Sequence, residues 1–227
     1  MNHYYLTIDF CTIIVPFLFS FHPKLQFYKE WNSFFKANLL VAFVFILWDM
    51  LFVKLGVWGF NARYILGINI FNIPLEELLF FICIPYSCVF TYHCLNVFFT
   101  FKWNRNAENI FVTALSVLLL LIGTYFYNHL YTSSIFVSLG ILLLLTKYVL
   151  HIQWLAKLFS IYTVLLIPFF IVNGILTGTG LDEPIVWYNN EENLNFRLFT
   201  IPFEDVFYGF ELILLNVFFY EKFKRKL

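Results

Sequence analysis

Seven long apolar stretches, separated by short polar connections, constrain this chain more than any other feature of its sequence. A helix needs about 20 mostly apolar residues to cross the hydrocarbon layer, and in lipid a helix satisfies its own backbone. Hydrophobic residues make up 61% of the chain and charged residues 12%, about half the charge of a soluble domain. An ordinary soluble globule, a disordered chain and a basic nucleic-acid-binding protein are thereby excluded. The sequence predicts an all-α membrane protein with seven transmembrane helices, at residues 4–21, 34–54, 75–101, 108–127, 134–151, 157–176 and 203–221.

The distribution of basic residues predicts the orientation. Positively charged loops stay on the cytoplasmic side of a membrane. The other side carries only Lys54, Arg63 and Arg197. We therefore expect the N-terminus outside and the C-terminus inside. The first, third and fifth connections and the C-terminal tail hold the remaining 11 of 14 basic residues: Lys24, Lys29, Lys36, Lys102, Arg105, Lys147, Lys157, Lys222, Lys224, Arg225 and Lys226.

The chain contains an internal repeat. Val57-Trp58 is followed by Ile73-Pro74-Leu75-Glu76-Glu77, and Val186-Trp187 by Ile201-Pro202-Phe203-Glu204-Asp205, at offsets of 129 and 128 residues. Each motif opens an apolar stretch, the third and the seventh, so the repeat unit is three helices. The fourth stretch is then an extra crossing that gives both units the same orientation, as in parallel repeats. We predict a first repeat at 1–103, a linker helix at 104–130 and a second repeat at 131–227.

Each motif places two acidic residues after a proline. Proline fits the first helical turn, so Pro74 and Pro202 are predicted to mark helix starts. Carboxylates in a first turn also cap free N–H groups and complement the helix dipole, which is the alternative, structural interpretation. Ionisable groups in a membrane are costly and usually functional, and here they recur at one face. The candidate catalytic acids are therefore Glu76, Glu77, Glu204 and Asp205.

Other polar residues are predicted near these acids. Asp9 lies in the outer part of the first stretch, Asp49 near the outer end of the second with Asn173 as its counterpart, and Glu211 about 10 Å deeper than Glu204 on one helix face. Asp49, Asn173 and Glu211 are the predicted supporting residues. Close carboxylates in apolar surroundings cannot all ionise, so one keeps its proton beside a charged neighbour. Adjacent helical residues point about 100° apart, so one member of each pair should face the interior and the other support it.

The predicted surroundings of the acids are aromatic. Aromatic faces attract cations, more strongly where water is excluded, and proton donors walled by aromatic rings suit carbocation chemistry on a lipophilic olefin. Each ring alone is better explained by packing or by an interfacial belt. The candidate substrate-binding residues are Trp58, Phe80, Tyr86, Trp187, Phe207 and Tyr208.

The run from Trp58 to Phe81 and the run from Pro202 to Tyr208 resemble the membrane-integral lycopene cyclases. These occur as two small subunits in some bacteria, as a fused chain in others and as a domain of bifunctional fungal enzymes. The resemblance covers essentially the whole chain. It implies an enzyme of the bacterial cytoplasmic (inner) membrane that cyclises lycopene ends to β-rings without redox change, giving γ-carotene and β-carotene. It also implies, by motif position, that the four candidate acids are essential.

The implied steps are protonation at C2 of the linear end group, attack of the C5–C6 double bond on the C1 cation, and loss of the C6 proton. This is an isomerisation, so its stoichiometry needs no redox cofactor, and the glycine-rich dinucleotide fingerprint is absent from the sequence. No metal site is predicted, since no second His/Cys pair stands at ligand spacing. The four cysteines are interpreted as small hydrophobic residues. The implied partners are the polyene, entering between helices, and the lipid bilayer; an oligomer is left open.

Two other functions remain as alternatives. Parallel repeats and acids near helix ends also fit a proton-coupled transporter, although the stretches show few Gly or Pro breaks near their centres. A non-catalytic carotenoid-binding membrane protein would have no need of a buried proton donor. A seven-helix retinal protein is a poor fit, because residues 203–220 contain no lysine for a Schiff base.

Overall fold

The computed structural model describes residues 3–101 and 103–224, so the predicted cytoplasmic residues Lys102, Arg225 and Lys226 lie outside the described part. The described residues form seven α-helices and six short strands. The helices are α1 (Tyr4–Phe19), α2 (Trp31–Leu55), α3 (Leu75–Phe98), α4 (Arg105–Tyr125), α5 (Leu130–Leu144), α6 (Leu155–Leu176) and α7 (Phe203–Lys224). The strands are β1 (Trp58–Phe60), β2 (Asn69–Ile70), β3 (Ile73–Pro74), β4 (Val186–Tyr188), β5 (Arg197–Leu198) and β6 (Ile201–Pro202).

A helix lies at each predicted apolar stretch. A 3₁₀ turn at Phe27–Glu30 precedes α2, and a π-helical turn at Leu145–Val149 continues α5. Five of the described helices are long and apolar enough to cross a membrane: α2 with its preceding turn, α3, α4, α5 with its π turn, and α6. The first helix is apolar but shorter, and α7 carries the acids of the second motif together with Glu211. The protein is therefore mostly helical, with several helices of membrane-spanning character.

Local chemistry explains where the key helices begin and end. Gly56 ends α2 in the left-handed region, at φ 74°, where a side chain would be strained. The Asn104 side chain caps α4 by accepting a hydrogen bond from the Asn106 N–H at 2.8 Å. Pro74 is extended and belongs to β3, so α3 begins at the next residue. Pro202 likewise belongs to β6, and both prolines stand just before the first turn rather than within it.

The helices differ in how extensively they pack against one another. α1 lies along α3, α5 along α7, and α2 along α7, whereas α6 makes a smaller contact with α3. α4 lies against α5, where Gly123 and Gly140 allow close approach: a Cβ at either glycine would come within 2.9 Å of a side chain on the other helix. Lys147 and Glu108 join the same two helices through a buried ion pair of 2.6 Å.

The two halves meet in an antiparallel strand pair. β1 pairs with β4 so that Trp58 lies opposite Tyr188 and Gly59 opposite Trp187. In the repeat, Trp58 corresponds to Trp187 and Gly59 to Tyr188. Replacing each residue by its counterpart turns the first of these pairs into the second, so the pairing is unchanged when the halves are swapped. The strand pair therefore marks a local twofold relation between the halves. It lies at the end of the bundle where α3 and α7 begin, which we term the motif end.

Candidate active site

Equivalent hairpins precede α3 and α7. In β2–β3, Asn69 pairs with Pro74, and in β5–β6, Arg197 pairs with Pro202, 128 residues later. The residues that turn the two hairpins, Phe71 and Phe199, share a left-handed φ of 59°. The sequence repeat is thus also a repeat of backbone conformation, and it sets the two acid pairs in matching positions.

The first acid of each pair anchors its own loop. Glu76 Oε1 accepts the Leu66 N–H at 2.5 Å, and Glu204 Oε1 accepts the Leu194 N–H at 2.7 Å. Thr132 Oγ1 also donates to Glu204 Oε1, at 2.6 Å. Both glutamates are 0% exposed. Their described contacts are therefore with loop backbone and a helix hydroxyl, and neither side chain lines the cavity described below.

The second acid of each pair faces a shared cavity. Glu77 and Asp205 both line it. Tyr5 donates its hydroxyl proton to Glu77 Oε2, and Tyr131 donates to Asp205 Oδ1, each at 2.5 Å. Tyr5 is the second residue of α1 and Tyr131 the second residue of α5, the corresponding helices of the two repeats. Each half of the chain therefore contributes one tyrosine-bonded carboxyl to the same interior space.

The two facing acids differ in their remaining partners. Asp205 Oδ2 also accepts from Asn173 Nδ2 at 2.7 Å and from the Tyr188 hydroxyl at 3.0 Å. Among the described residues, Glu77 receives a side-chain hydrogen bond from Tyr5 alone. Burial and the neighbouring Asp205 raise the pKa of Tyr188 well above its usual value, so its hydroxyl stays a donor. Asp205 thus accepts hydrogen bonds from Tyr131, Asn173 and Tyr188. Hydrogen bonds donated to a carboxyl favour its charged form.

The other predicted acids occupy different positions. Asp49 lines the cavity, and its Oδ1 accepts the Trp58 indole N–H at 2.5 Å. Asp9 is buried, and neither of its carboxyl oxygens has a hydrogen-bond partner among the described residues. Glu211 accepts from Ser138 Oγ at 2.9 Å. Neither Asp9 nor Glu211 lines the cavity. Asp49 and Asn173 thus lie near Glu77 and Asp205, the two acids that face the cavity. Glu211 belongs to the contact between α5 and α7.

The cavity is a largely apolar space of about 570 Å³ between α1, α3, α6 and α7, with β1 and β4 at its motif end. Its volume falls in the range of about 300–1,000 Å³ that is usual for small-molecule sites. The polar side chains of Glu77, Asp205 and Asp49 lie toward the motif end, because they sit at the starts of α3 and α7 and late in α2. A carboxyl in such a cavity can transfer a proton to an apolar molecule bound there, while the apolar walls keep water away from that molecule.

The aromatic candidates divide into two groups. Trp58, Phe80 and Tyr208 line the cavity. The other three predicted substrate-binding residues do not. Tyr86 bonds to Ser20 at 2.6 Å and to the Trp31 indole at 2.9 Å, in a cluster where α1 ends and α2 begins. Trp187 is 43% exposed on the outer face of β4. Phe207 stacks edge-on against Phe136 and Phe203, between α5 and α7.

Sequence reasoning did not single out the tyrosines that hold the acids. Tyr5 and Tyr131 are each the second residue of the first helix of a repeat. Aligning the whole repeat rather than its motif would have paired them. Tyr188 directly follows the repeated Val-Trp pair, and its counterpart in the first repeat is Gly59. That difference between the halves adds one donor to Asp205, and the motif alone carries no sign of it.

The comparisons with known proteins agree with this duplicated arrangement. The family model for lycopene cyclase matches residues 2–95 and again residues 128–223. The two matched segments leave out residues 96–127, which include α4. No curated protein matches the chain, and no solved structure matches it either. Since the two matched segments make up most of the 227 residues, the chain belongs to the lycopene cyclase family.

Proposed function

We propose that this protein is a lycopene β-cyclase that converts the linear end groups of lycopene to β-rings by acid catalysis, without redox change. The observation that carries the proposal is the meeting of Glu77 and Asp205, one from each repeat, in one apolar cavity. Membership of the lycopene cyclase family supports the substrate class. An acid and a base in a water-poor space are what a proton-initiated isomerisation requires.

In the proposed reaction Glu77 is the acid. Its carboxyl proton passes to C2 of the end group, leaving a cation at C1 and a carboxylate at Glu77. The C5–C6 double bond attacks C1, which forms the C1–C6 bond and moves the charge to C5. Loss of the C6 proton to the Asp205 carboxylate then creates the C5–C6 double bond of the β-ring. Return of that proton to Glu77 restores the starting state, so the balance is that of an isomerisation.

The assignment of acid and base rests on the hydrogen bonds. Asp205 accepts three donors, from Tyr131, Tyr188 and Asn173, which stabilise its charged form. Glu77 accepts one, from Tyr5, and is therefore better suited to carry a proton. Glu76 and Glu204 act as positioning residues, because each holds the loop ahead of its helix.

The aromatic walls of the cavity can stabilise the carbocation that forms in the proposed reaction. Trp58 and Tyr208 line the cavity beside the acids, and their ring centroids lie 6.3 Å apart. Aromatic faces stabilise a cation by about 0.5–2 kcal/mol, at the upper end where water is excluded. Asp49 fixes the indole of Trp58, so we assign Asp49 to positioning this wall.

The proposal also includes how the helices are arranged in the membrane. All seven helices would cross the bilayer, with the N-terminus and the motif end outside and the C-terminus inside, in the cytoplasmic membrane of a bacterium. Residues 1–103 and 131–227 would form the two parallel repeats, and residues 104–130 the linker helix. The apolar character of α1 and the length of α7 support spans at these helices as well.

Expression in cells that accumulate lycopene, followed by chromatography of the pigments, tests the proposal. The wild-type chain should give one-ring and two-ring products, whereas the double variant Glu77→Gln/Asp205→Asn should leave lycopene unchanged. Glu191→Gln, an exposed acid away from the cavity, is the matched control and should behave as wild type. Unchanged lycopene in cells whose membranes contain the wild-type protein would contradict the proposal and favour a transporter or a carotenoid-binding protein.

A further inference from the structure

The cavity opens to the outside between α1 and α6. Among its described lining residues, the exposed ones are Thr7 and Cys11 on α1 and Pro168 and Ile171 on α6. Every other lining residue is buried or half-buried. The opening therefore lies on the side of the helical bundle, where hydrocarbon would surround it.

Contacts on either side of the opening explain why the two helices part there. Toward the motif end, Tyr5 of α1 and Leu176 of α6 pack in one apolar cluster. Deeper in the bundle, α6 is held to α7, because the Tyr162 hydroxyl donates to the Val206 carbonyl at 2.6 Å. Pro168 lies within α6 between these two contacts. A proline within a helix removes a backbone hydrogen bond and permits a bend.

The cavity does not open between the corresponding helices of the other half. Swapping the halves relates α1 and α6 to α5 and α2. Among the described lining residues, α2 contributes Asp49 and α5 contributes Tyr131, and both are buried. At the motif end the two helices meet through Trp58, whose ring centroid lies 4.9 Å from that of Phe52 on α2 and 5.1 Å from that of Tyr131.

We propose that the polyene enters the cavity sideways from the hydrocarbon layer through the α1–α6 opening, and that it enters one end at a time. This inference rests on the proposed function. The exposed lining of α6, Pro168 and Ile171, is apolar, and the acids lie toward the motif end of the cavity. A long linear molecule would keep its remaining length in the bilayer. Formation of a second ring then requires withdrawal of the cyclised end and entry of the other.

The test compares two exposed isoleucines on α6. Ile171 is 61% exposed and lines the cavity, whereas Ile167, one turn away, is 67% exposed and does not. Ile171→Trp should narrow the opening and slow ring formation by about tenfold, a barrier increase of about 1.4 kcal/mol. Ile167→Trp should leave the rate unchanged. Equal rates for the two variants would overturn the inference while leaving the proposed function intact.

A second measurement does not depend on turnover. p-Benzoylphenylalanine is placed at position 171 or at position 167, membranes containing lycopene are irradiated, and adducts are identified by mass spectrometry. A lycopene adduct at 171 that exceeds the adduct at 167 severalfold supports entry between α1 and α6. Equal labelling, or none at 171, overturns it. This result holds even if the wild-type chain forms no rings, so failure of the proposed function and failure of the entry route are distinguished.

A time course with excess lycopene tests the order of events. Entry of one end at a time predicts that free one-ring product appears before any two-ring product. Two-ring product that forms first, with no free one-ring product under these conditions, would show that both ends react in one binding event and would refute this part of the inference.

Discussion

The two glutamates of the first motif should respond differently to the same substitution. Glu77 faces the cavity and Glu76 holds the Leu66 N–H. Glutamine matches glutamate in volume and keeps a carbonyl oxygen, so Glu77→Gln can still accept the Tyr5 hydroxyl. What it loses is the transferable proton. General acid catalysis contributes about 10²–10⁴-fold, and we expect Glu77→Gln to lower the cyclisation rate by about that factor, equivalent to about 2.7–5.4 kcal/mol.

Glu76→Gln should have a much smaller effect. The amide oxygen of glutamine still accepts the Leu66 N–H. A hydrogen bond of this kind contributes about 0.5–1.5 kcal/mol, so weakening it should cost the loop at most about 1 kcal/mol. We therefore expect a lower thermal stability and at most a severalfold lower rate.

The assay is the initial rate of ring formation in membranes that contain equal amounts of folded protein, checked by size-exclusion chromatography in detergent. Glu191→Gln serves as the control for substitution at an exposed glutamate. The reasoning is refuted if Glu76→Gln loses as much activity as Glu77→Gln at equal folded amounts. It is also refuted if Glu77→Gln keeps most of the wild-type rate.

Three further outcomes are expected. Tyr5→Phe should slow cyclisation more than Tyr131→Phe, because Asp205 keeps Asn173 and Tyr188 as donors; initial rates of the two variants decide, and the reverse order would be inconsistent with the assigned hydrogen bonds. Gly59→Ala should lower the midpoint of thermal unfolding, since a Cβ there would lie 2.5 Å from the Trp187 ring and overpacking costs about 1–3 kcal/mol; Gly174→Ala, whose Cβ would meet its nearest neighbour at 3.4 Å, is the control. Lys147→Met should destabilise the protein by about 3–5 kcal/mol because it leaves Glu108 buried without its cation, and adding Glu108→Gln should recover part of this loss; a double variant no more stable than Lys147→Met would argue against the ion pair.

The helices were predictable from sequence because a membrane-spanning helix is specified by local composition. Each of the seven stretches is rich in apolar residues, and the structure places a helix at each. Five of these described helices are long and apolar enough to cross a membrane. The repeat was visible for a similar reason, since the hairpin turn and the proline before the helix are encoded within a few residues. The same backbone conformation therefore recurs at Phe71 and Phe199.

The sequence predicted that one member of each acid pair faces the interior, but it did not indicate which one. Glu76 and Glu77 are neighbours of the same type, and they are distinguished by a backbone N–H ten residues earlier, which reaches Glu76 only after the β2–β3 hairpin has formed. Phe207 and Tyr208 illustrate the same limit. One side chain faces α5 and the next faces the cavity, because adjacent helical residues diverge by about 100°, and composition alone does not fix the rotation of α7.

Trp58 and Trp187 show how equivalent residues acquire unequal surroundings. The repeat relates them, yet Trp58 is buried and bonded to Asp49, whereas Trp187 is exposed. The predicted counterpart of Asp49 is Asn173, whose side chain donates to Asp205. The indole of Trp187 lies instead across Gly59 on the outer face.

In the proposed mechanism, these differences between the halves distinguish the acid from the base. A perfectly symmetric pair of carboxyls would have equal proton affinities, and neither would be favoured as acid or base. Here the second half supplies Asn173 and Tyr188 to Asp205, and the first half leaves Glu77 with Tyr5. The cavity also opens on one side, between α1 and α6, whereas its described lining from α2 and α5 is buried. Under the proposed mechanism, one acid, one base and one entrance thus follow from a small number of differences between two otherwise similar halves.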